Sequence, residues 1–185
     1  MHAVSQPIAI RTATQDDAEL LARFGAATFS QAFAAQNTPE DLAAYLAAAF
    51  SPAHQAAQLR DPDTLFLIAA IDGEPVGYAQ IEVSEPPACV AATRPIELVR
   101  FYVDAAWHGR GISHELMREV LARAADRGHD TLWLGVWDKN GRAISFYEKW
   151  GFAVVGTKEF LLGSDLQTDL VMSRAVSVSK EIDER

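Results

Sequence analysis

The sequence predicts an α/β protein in which helices flank a mixed central β-sheet. From Thr64 onward, short apolar runs typical of strands alternate with two segments of helical spacing, which is the pattern of a layered α/β fold. Before that point, Thr38-Pro39 and Ser51-Pro52 each combine a capping residue with a proline at the first helical position. Together these patterns predict about seven strands and four to five helices.

The amino-terminal part is predicted to contain one strand and three helices. Residues 8–11 form the strand, and Thr14, with an acid three residues later, begins the first helix. Pro39 and Pro52 then begin the second and third helices.

Six strands and two helices are predicted for the remainder. Asp72-Gly73 has the composition of a tight hairpin turn, and Gly77 marks a close approach of backbone to the next strand. We expect one domain over residues 1–175 and a charged tail over residues 176–185. The predicted strands are residues 65–71, 76–83, 96–103, 131–136, 152–161 and 166–172, and the predicted helices are residues 112–127 and 140–150.

Composition narrows the class of protein. The chain has 185 residues, of which 49% are hydrophobic and 22% charged, as in globular domains. Its net charge of −9 disfavours nucleic-acid binding, because that binding depends on neutralising phosphates, and is compatible with a cationic substrate. The single cysteine, Cys89, excludes an internal disulfide. There is no secretory signal and no apolar run that could span a bilayer, so we expect a cytoplasmic monomer or homodimer.

The segment from Trp107 to Ser113 joins a predicted strand to a predicted helix. A helix start presents unpaired N–H groups and partial positive charge, and Gly109 and Gly111 let the backbone approach a phosphate closely. Arg110 adds a cation. The segment lacks both the third glycine of a dinucleotide fingerprint and the Gly-Lys-Ser/Thr ending of a P-loop. Its own residues therefore fit a phosphate cradle or an ordinary strand-to-helix turn.

A second segment, from Asn140 to Phe152, follows one strand and one helix later. It reads Asn-x-x-Ala-x-x-Phe-Tyr-x-Lys-x-Gly-Phe, and together the two segments resemble the GNAT acetyltransferase superfamily. The pyrophosphate motif of that superfamily, Gln/Arg-x-x-Gly-x-Gly/Ala, appears here as His108, Gly111 and Ser113. The two departures are His108, which can donate to a phosphate through either ring nitrogen, and Ser113, which adds a hydroxyl donor.

The resemblance implies a GNAT fold whose sheet is splayed beside strand 96–103. It also implies acetyl-CoA as co-substrate, no metal, and direct acetyl transfer to a primary amine. The pantetheine arm would pair with the backbone of that strand like an added strand, and the diphosphate would lie on the glycine turn. The implied coenzyme-binding residues are Phe101, Tyr102, Val103, His108, Gly109, Arg110, Gly111, Ile112, Ser113, Asn140 and Lys149.

The chemistry requires a base, because an amine with a pKa of about 10.4 arrives protonated. Glu97, on the implied coenzyme-binding strand, is the candidate base, although an ion pair or an exposed strand position would equally explain it. Glu82 on the neighbouring strand is the alternative base. Tyr147 is the candidate general acid for the thiolate leaving group, and its alternative role is to pack against the sulfur and position it.

A narrower resemblance concerns the acceptor. Residues 37–41, 133–140 and 167–170 are similar to the bacterial PaiA-type members of the superfamily, which implies polyamines such as spermidine or spermine. The distal ammonium of a polyamine would then meet Glu82, Glu85 or Asp138, and Trp137 would line the acceptor pocket. A protein amine as acceptor, or a coenzyme-binding regulatory module without catalysis, remains an alternative.

Overall fold

The computed structural model describes residues 7–176. Of the predicted tail 176–185, only Val176 is described, and it is buried against the core, whereas residues 177–185 lie outside the described residues. The strands are β1 (Ala9–Thr12), β2 (Thr64–Ile71), β3 (Glu74–Glu82), β4 (Pro95–Val103), β5 (Thr131–Trp137), β6 (Ala153–Leu162) and β7 (Asp165–Ala175). The helices are α1 (Ala18–Phe33), α2 (Pro39–Ala49), α3 (Pro52–Arg60), α4 (Ile112–Asp126) and α5 (Gly141–Lys149).

The seven strands form one sheet in the order β1-β2-β3-β4-β5-β7-β6. All neighbouring pairs are antiparallel except β4 and β5, which are parallel and are connected through α4. The prediction of a mixed seven-stranded sheet flanked by helices is therefore confirmed.

The helices cover both faces of the sheet. On one face α4 buries Leu116, Met117 and Val120 against strand residues that include Ile96. On the other face Leu21 of α1 packs against β2 and β3. This two-sided burial is what the apolar spacing of the helices and the nearly continuous apolar runs of β2 and β3 predict.

The predicted helix starts are present, with one difference. Thr38 Oγ1 accepts from the N–H of Asp41, and Ser51 Oγ accepts from the N–H of His54, both at 3.2 Å. Thr14 is bonded as predicted, since its N–H donates to the Asp17 carboxylate at 2.7 Å. That cap, however, begins a single 3-10 turn (Gln15–Asp17), and α1 begins only at Ala18.

Two glycine predictions are confirmed by the backbone. Asp72 and Gly73 have φ of 52° and 84°, the left-handed conformations that a tight hairpin between β2 and β3 requires. A Cβ on Gly77 would lie 3.0 Å from the carbonyl oxygen of Tyr102, which is closer than a side chain normally approaches, so the glycine favours this close contact with β4. Within residues 7–176, no helix is long and apolar enough to cross a membrane.

Candidate active site

The sheet opens between β4 and β5, which is the feature that creates the site. The two strands pair only from Pro95 to Glu97 against Thr131 to Trp133. Beyond Glu97, β4 pairs on its other edge with β3, and β5 pairs with β7. The register of β4 against β3 shifts by one residue at Val99, and such a bulge bends a strand. The edge of β4 that faces β5 is therefore not paired with it from Leu98 to Val103.

Two cavities, of about 360 Å³ and about 200 Å³, meet at this opening. The larger lies toward α4 and the glycine turn. The smaller lies toward α2 and the β6–β7 hairpin. The residues common to both walls are Phe33, Phe101, Tyr102, Asn140, Ala143 and Tyr147. A molecule in the larger cavity and a molecule in the smaller one would therefore meet beside Tyr147.

The glycine turn presents its backbone to the larger cavity. Gly109 and Gly111 have φ of 77° and 84°, and a Cβ on either would have no neighbour within 4 Å. These glycines are thus required by conformation, and open space lies over both. Gly111 is the N-cap of α4 and supplies no side-chain acceptor, so the first N–H groups of the helix remain for a ligand. An anionic group fits this helix start.

Other predicted coenzyme-binding residues lie close to the turn, but not all of them reach the cavity. His108, Ile112 and Ser113 line the larger cavity together with Gly109. Arg110 does not line it, and its guanidinium lies over the Trp107 ring at 4.7 Å from the ring centroid.

His108 is held by the strand that precedes it. Its Nε2 lies 2.8 Å from the carbonyl oxygen of Val103, and only a protonated nitrogen can donate to that carbonyl. This leaves Nδ1 as the nitrogen available to a ligand. We expected that either ring nitrogen could contact a phosphate. In the structure only Nδ1 is available for that contact.

The start of α5 supplies a cation that the sequence interpretation overlooked. Asn140 caps α5 through a hydrogen bond from the N–H of Ala143 at 3.2 Å, and Asn140 and Arg142 both line the larger cavity. Lys149, the predicted cation, is exposed at the last position of α5 and lines neither cavity. A cation in the first turn of a helix opposes the helix dipole, whereas one in the last turn is favourable. Arg142 lies in the first turn of α5, where a cation is unfavourable for the helix itself. This position was the sequence signal that Arg142 could bind a ligand.

Tyr147 stands between the two cavities in a wall of aromatic rings. It is 9% exposed and makes edge-to-face contacts with Phe101, Phe146 and Phe152. Burial raises the pKa of its phenol well above the usual value, so the hydroxyl remains protonated at neutral pH. Within residues 7–176 the hydroxyl has no hydrogen-bond partner, and it is therefore a free donor at the junction.

Glu97 is the last residue of β4 that pairs with β5, and it lines the smaller cavity. Ser84 Oγ donates to its Oε2 at 2.6 Å, and Lys158 Nζ lies 3.6 Å from its Oε1. Glu82, the alternative base, is directly opposite on β3 but lines neither cavity. The pKa of Glu82 is raised, first by burial and then by the charge of Glu97. Ser84 and Lys158 could not be identified from sequence spacing, because both are distant from Glu97 along the chain.

The charged lining of the smaller cavity differs from the acids predicted for a polyamine. Glu85 and Asp138, like Glu82, do not line it, whereas Asp169 does. Trp137 lines this cavity as predicted, edge-on to Phe33. Within the described part of the chain, no three His, Cys, Asp or Glu side chains converge to hold a metal ion.

Two contacts join α2 and the residues before it to the β6–β7 hairpin beside the smaller cavity. The N–H and Oγ of Ser164 donate to Asp41 Oδ1 at 2.6 and 2.9 Å, and Gln167 Nε2 donates to Asn37 Oδ1 at 2.9 Å. The backbone hydrogen bond from Ser164 is the main reason that the pKa of Asp41 is lowered. Of the residues in these contacts, Gln167 lines the smaller cavity, and none of them lines the larger one.

Comparison with known proteins agrees with this geometry. Residues 28–152 match the family described as Acetyltransferase (GNAT) family. An uncharacterised N-acetyltransferase of Mycobacterium tuberculosis is 40% identical over 158 residues, which is 85% of this chain and 97% of the relative. The L-amino acid N-acetyltransferase AaaT of Escherichia coli is 35% identical over 94 residues, 49% of this chain and 54% of that protein.

A solved structure shares the same fold. The PaiA N-acetyltransferase of Thermoplasma acidophilum in complex with coenzyme A superposes with a TM-score of 0.76, covering 91% of this chain and 99% of that one, at 22% identity. The family match spans more than half of the chain, and the mycobacterial relative covers most of it. The chain therefore belongs to the GNAT family and is an acetyl-CoA-dependent N-acetyltransferase.

Proposed function

We propose that this enzyme transfers the acetyl group of acetyl-CoA directly to the primary amine of a small molecule, with acetyl-CoA in the larger cavity and the amine in the smaller. The observation that carries the proposal is the meeting of the two cavities at Tyr147, beside the edge of β4 that is not paired with β5. Reactants held on the two sides of this junction would not require a covalent enzyme intermediate.

The coenzyme would be held mainly by backbone groups. The free edge of β4 offers backbone N–H and C=O groups of alternate residues, Phe101 and Val103, to an extended pantetheine arm, whereas the carbonyl of Tyr102 between them faces Gly77 of β3. One of these N–H groups would polarise the acetyl carbonyl. The diphosphate would lie on the start of α4, where Ser113 and His108 Nδ1 add side-chain contacts, and Arg142 and Asn140 would support it from α5.

Arg110, Gly111 and Lys149 have different parts in this proposal. Gly111 would act through its backbone conformation rather than through contact. Arg110 and Lys149 line neither of the two cavities, so in this proposal they contribute positive charge near the coenzyme rather than a direct contact.

Glu97 would act as the base, and Tyr147 would donate a hydrogen bond to the leaving sulfur. The ammonium loses one proton to become a nucleophile and a second when its nitrogen bonds the acetyl carbon and the carbon–sulfur bond breaks. Glu97 would pass one proton to solvent, and the other balances the leaving thiolate. The raised pKa of Tyr147 favours a hydrogen bond to the sulfur over complete proton transfer, because a phenol is a weaker acid than a thiol of pKa about 8.5.

The walls of the smaller cavity support the hypothesis that the acceptor is a small molecule. Its walls include α1, α2 and the β6–β7 hairpin, and the hairpin is bonded to Asn37 and Asp41. A polyamine is one such acceptor, implied by the PaiA-type resemblance, and Glu97 and Asp169 would be the acids that it meets. We place the reaction in the cytoplasm, by a monomer or homodimer whose single catalytic domain extends over residues 1–175.

Thiol release from acetyl-CoA tests this proposal. Polyamines, amino acids, aminoglycosides and peptides are assayed in parallel, and Glu97→Gln is compared with Glu85→Gln, an acid that lines neither cavity. We expect turnover with a small amine, a large loss of kcat in the Glu97 variant and none in the control. Turnover only with peptides would replace the small acceptor by a protein. Coenzyme binding without turnover on any amine would indicate a regulatory module.

A further inference from the structure

One cation in the wall of the acceptor cavity has no anionic partner. Arg100 of β4 lines the smaller cavity and is 8% exposed. Its Nη2 donates to the carbonyl oxygen of Ala49 at 3.2 Å, and its Cζ lies 4.3 Å from the centroid of the Phe50 ring. Nη1 has no hydrogen-bond partner, and Arg100 forms no ion pair with the acids of residues 7–176. A buried guanidinium in this condition is costly unless a ligand completes its hydrogen bonds.

The other charges around the cavity already have partners. Lys158 Nζ lies 3.6 Å from Glu97, and the charge of Lys158 also lowers the pKa of Asp169 against the larger, raising effect of burial. Gly135 makes room for this arrangement, because a Cβ there would lie 3.0 Å from Lys158 Nζ and 3.1 Å from Asp169 Oδ2. The acids of the cavity wall are thus shared with a lysine of the protein. The acid whose charge Arg100 does influence, Glu82, lies outside the cavity, and within residues 7–176 Arg100 forms no ion pair.

The balance of charge also bears on the acceptor. The ionisable acids and bases lining the cavity, Glu97 and Asp169 against Lys158 and Arg100, sum to zero when all are charged. A polyamine would add positive charges that these acids, already facing Lys158, do not compensate. A molecule with one ammonium and one carboxylate would leave the cavity neutral and supply the anion that Arg100 lacks.

We propose that the acceptor is a small amine that also carries a carboxylate, an amino acid or a close analogue, and that Arg100 determines this specificity by binding the carboxylate. A guanidinium is the best-matched side chain for a carboxylate, which it can bind with two parallel hydrogen bonds. Tyr45 lines the same cavity beside Arg100, and burial raises the pKa of its phenol by more than the charge and hydrogen bond of Arg100 lower it. The hydroxyl therefore stays protonated and is able to donate to the same carboxylate. This inference rests on the proposed function, since it concerns the acceptor of the same transfer.

Matched acceptors test the inference on the wild-type enzyme. Several amino acids are compared with their carboxamides, which keep the amine and the size but lose the negative charge, and with spermidine, all at saturating acetyl-CoA. We expect kcat/KM to be about 10- to 100-fold higher for the acids, as a charged hydrogen bond to a buried partner provides. Equal values for acid and amide, or higher values for spermidine, would overturn the inference.

Variants then assign the preference to Arg100. Arg100→Gln should lower kcat/KM for the amino acids to the level of their carboxamides measured with the same variant, and Arg118→Gln, on the exposed surface of α4, should preserve the difference. If Arg100→Gln fails to fold, Tyr45→Phe should reduce the same difference through the same carboxylate. A folded Arg100 variant that keeps the full preference would contradict the assignment. Absence of thiol release with every amine would instead count against the proposed function.

Discussion

Tyr147 is surrounded by aromatic rings at the junction of the two cavities, and the hydroxyl of its side chain has no hydrogen-bond partner among residues 7–176. We predict that Tyr147→Phe lowers kcat by about 10- to 100-fold, which is less than a full general-acid effect because the raised pKa of the phenol disfavours complete proton transfer. Coenzyme affinity should change little, since the ring remains. Steady-state kinetics and calorimetry with coenzyme A measure the two effects.

Tyr78→Phe is the matched control for this substitution. The Tyr78 hydroxyl is also buried without a hydrogen-bond partner in the described part of the chain, but Tyr78 lines neither cavity. The control should retain full turnover. Equal turnover of the Tyr147 variant and the wild-type enzyme would exclude Tyr147 as the hydrogen-bond donor to the sulfur.

Gly111 and Gly73 permit a clean separation of backbone strain from ligand binding. Both have φ of 84°, and a Cβ on either would have no neighbour within 4 Å. We predict that Gly111→Val and Gly73→Val each cost about 1–2 kcal/mol of stability, the cost of placing a side chain in the left-handed region. Only Gly111→Val should weaken coenzyme binding, because only Gly111 begins α4.

Chemical denaturation and calorimetry on the two variants test this prediction together. If Gly111→Val binds coenzyme A as tightly as Gly73→Val does, the glycine turn is not the phosphate cradle. If both variants lose affinity equally, the loss reflects general destabilisation.

At the scale of elements, the 3-10 turn before α1 is tied to β1 by an ion pair. Asp17 bonds both terminal nitrogens of Arg11 at 2.7 Å, and this pair is the main reason that the pKa of Asp17 is lowered to about 2. A lowered pKa contributes stability above the unfolded value of about 3.9, which is lost as the pH falls toward 2. We predict that Asp17→Asn costs about 1–2 kcal/mol at pH 7, after allowance for the half-exposed Arg11.

The cost of Asp17→Asn should shrink as the pH is lowered from 4 toward 2, which urea denaturation across this range measures. Asp16→Asn is the control, because the Asp16 carboxyl is next to Asp17 in the sequence but is exposed and forms no ion pair within residues 7–176. A pH-independent cost would mean that the substitution acts through packing rather than through the ion pair.

The elements could be predicted because their signals are local. Alternation, capping residues and the Asp72-Gly73 turn each act within a few residues, so strand and helix types were correct and most boundaries moved by only one or two positions. The 3-10 turn at Gln15–Asp17 was missed because its cap is chemically the same as that of an α-helix. The glycine turn and the Asn140 cap beside the larger cavity could be predicted for the same local reason.

The lining of the smaller cavity could not be predicted in the same way. Lys158, Asp169 and Arg100 line one cavity because the sheet order places β7 between β5 and β6, and because β4 has a bulge at Val99. Their charges have no fixed spacing in the sequence. The acids proposed for a polyamine, Glu85 and Asp138, were selected by sequence position and lie outside the cavity.

At the scale of the whole molecule, the sheet has two parts joined by a short seam. Strands β1 to β4 form one part and β5 to β7 the other, and three residue pairs from Pro95 to Glu97 connect them. Past that seam, the interior of the opening is where the coenzyme would pair with β4 and approach α5. A bound coenzyme would therefore contact both parts and add hydrogen bonds across the strand pair that has the fewest paired residues in the sheet.

We predict that coenzyme A at 100 times its Kd raises Tm by about 5–10 °C, because this saturation stabilises a protein by about 2.7 kcal/mol and each kcal/mol shifts Tm by about 2–4 °C at this size. Amide exchange should slow in β4 from Leu98 to Val103 and at the start of α5, whereas β1 and β2 should change only as global stability changes. Gly111→Val should lose most of the shift in Tm while Gly73→Val keeps it. Slower exchange in β1 and β2 without slower exchange in β4 would place the coenzyme elsewhere, because a ligand in the opening must protect the free edge of β4 first.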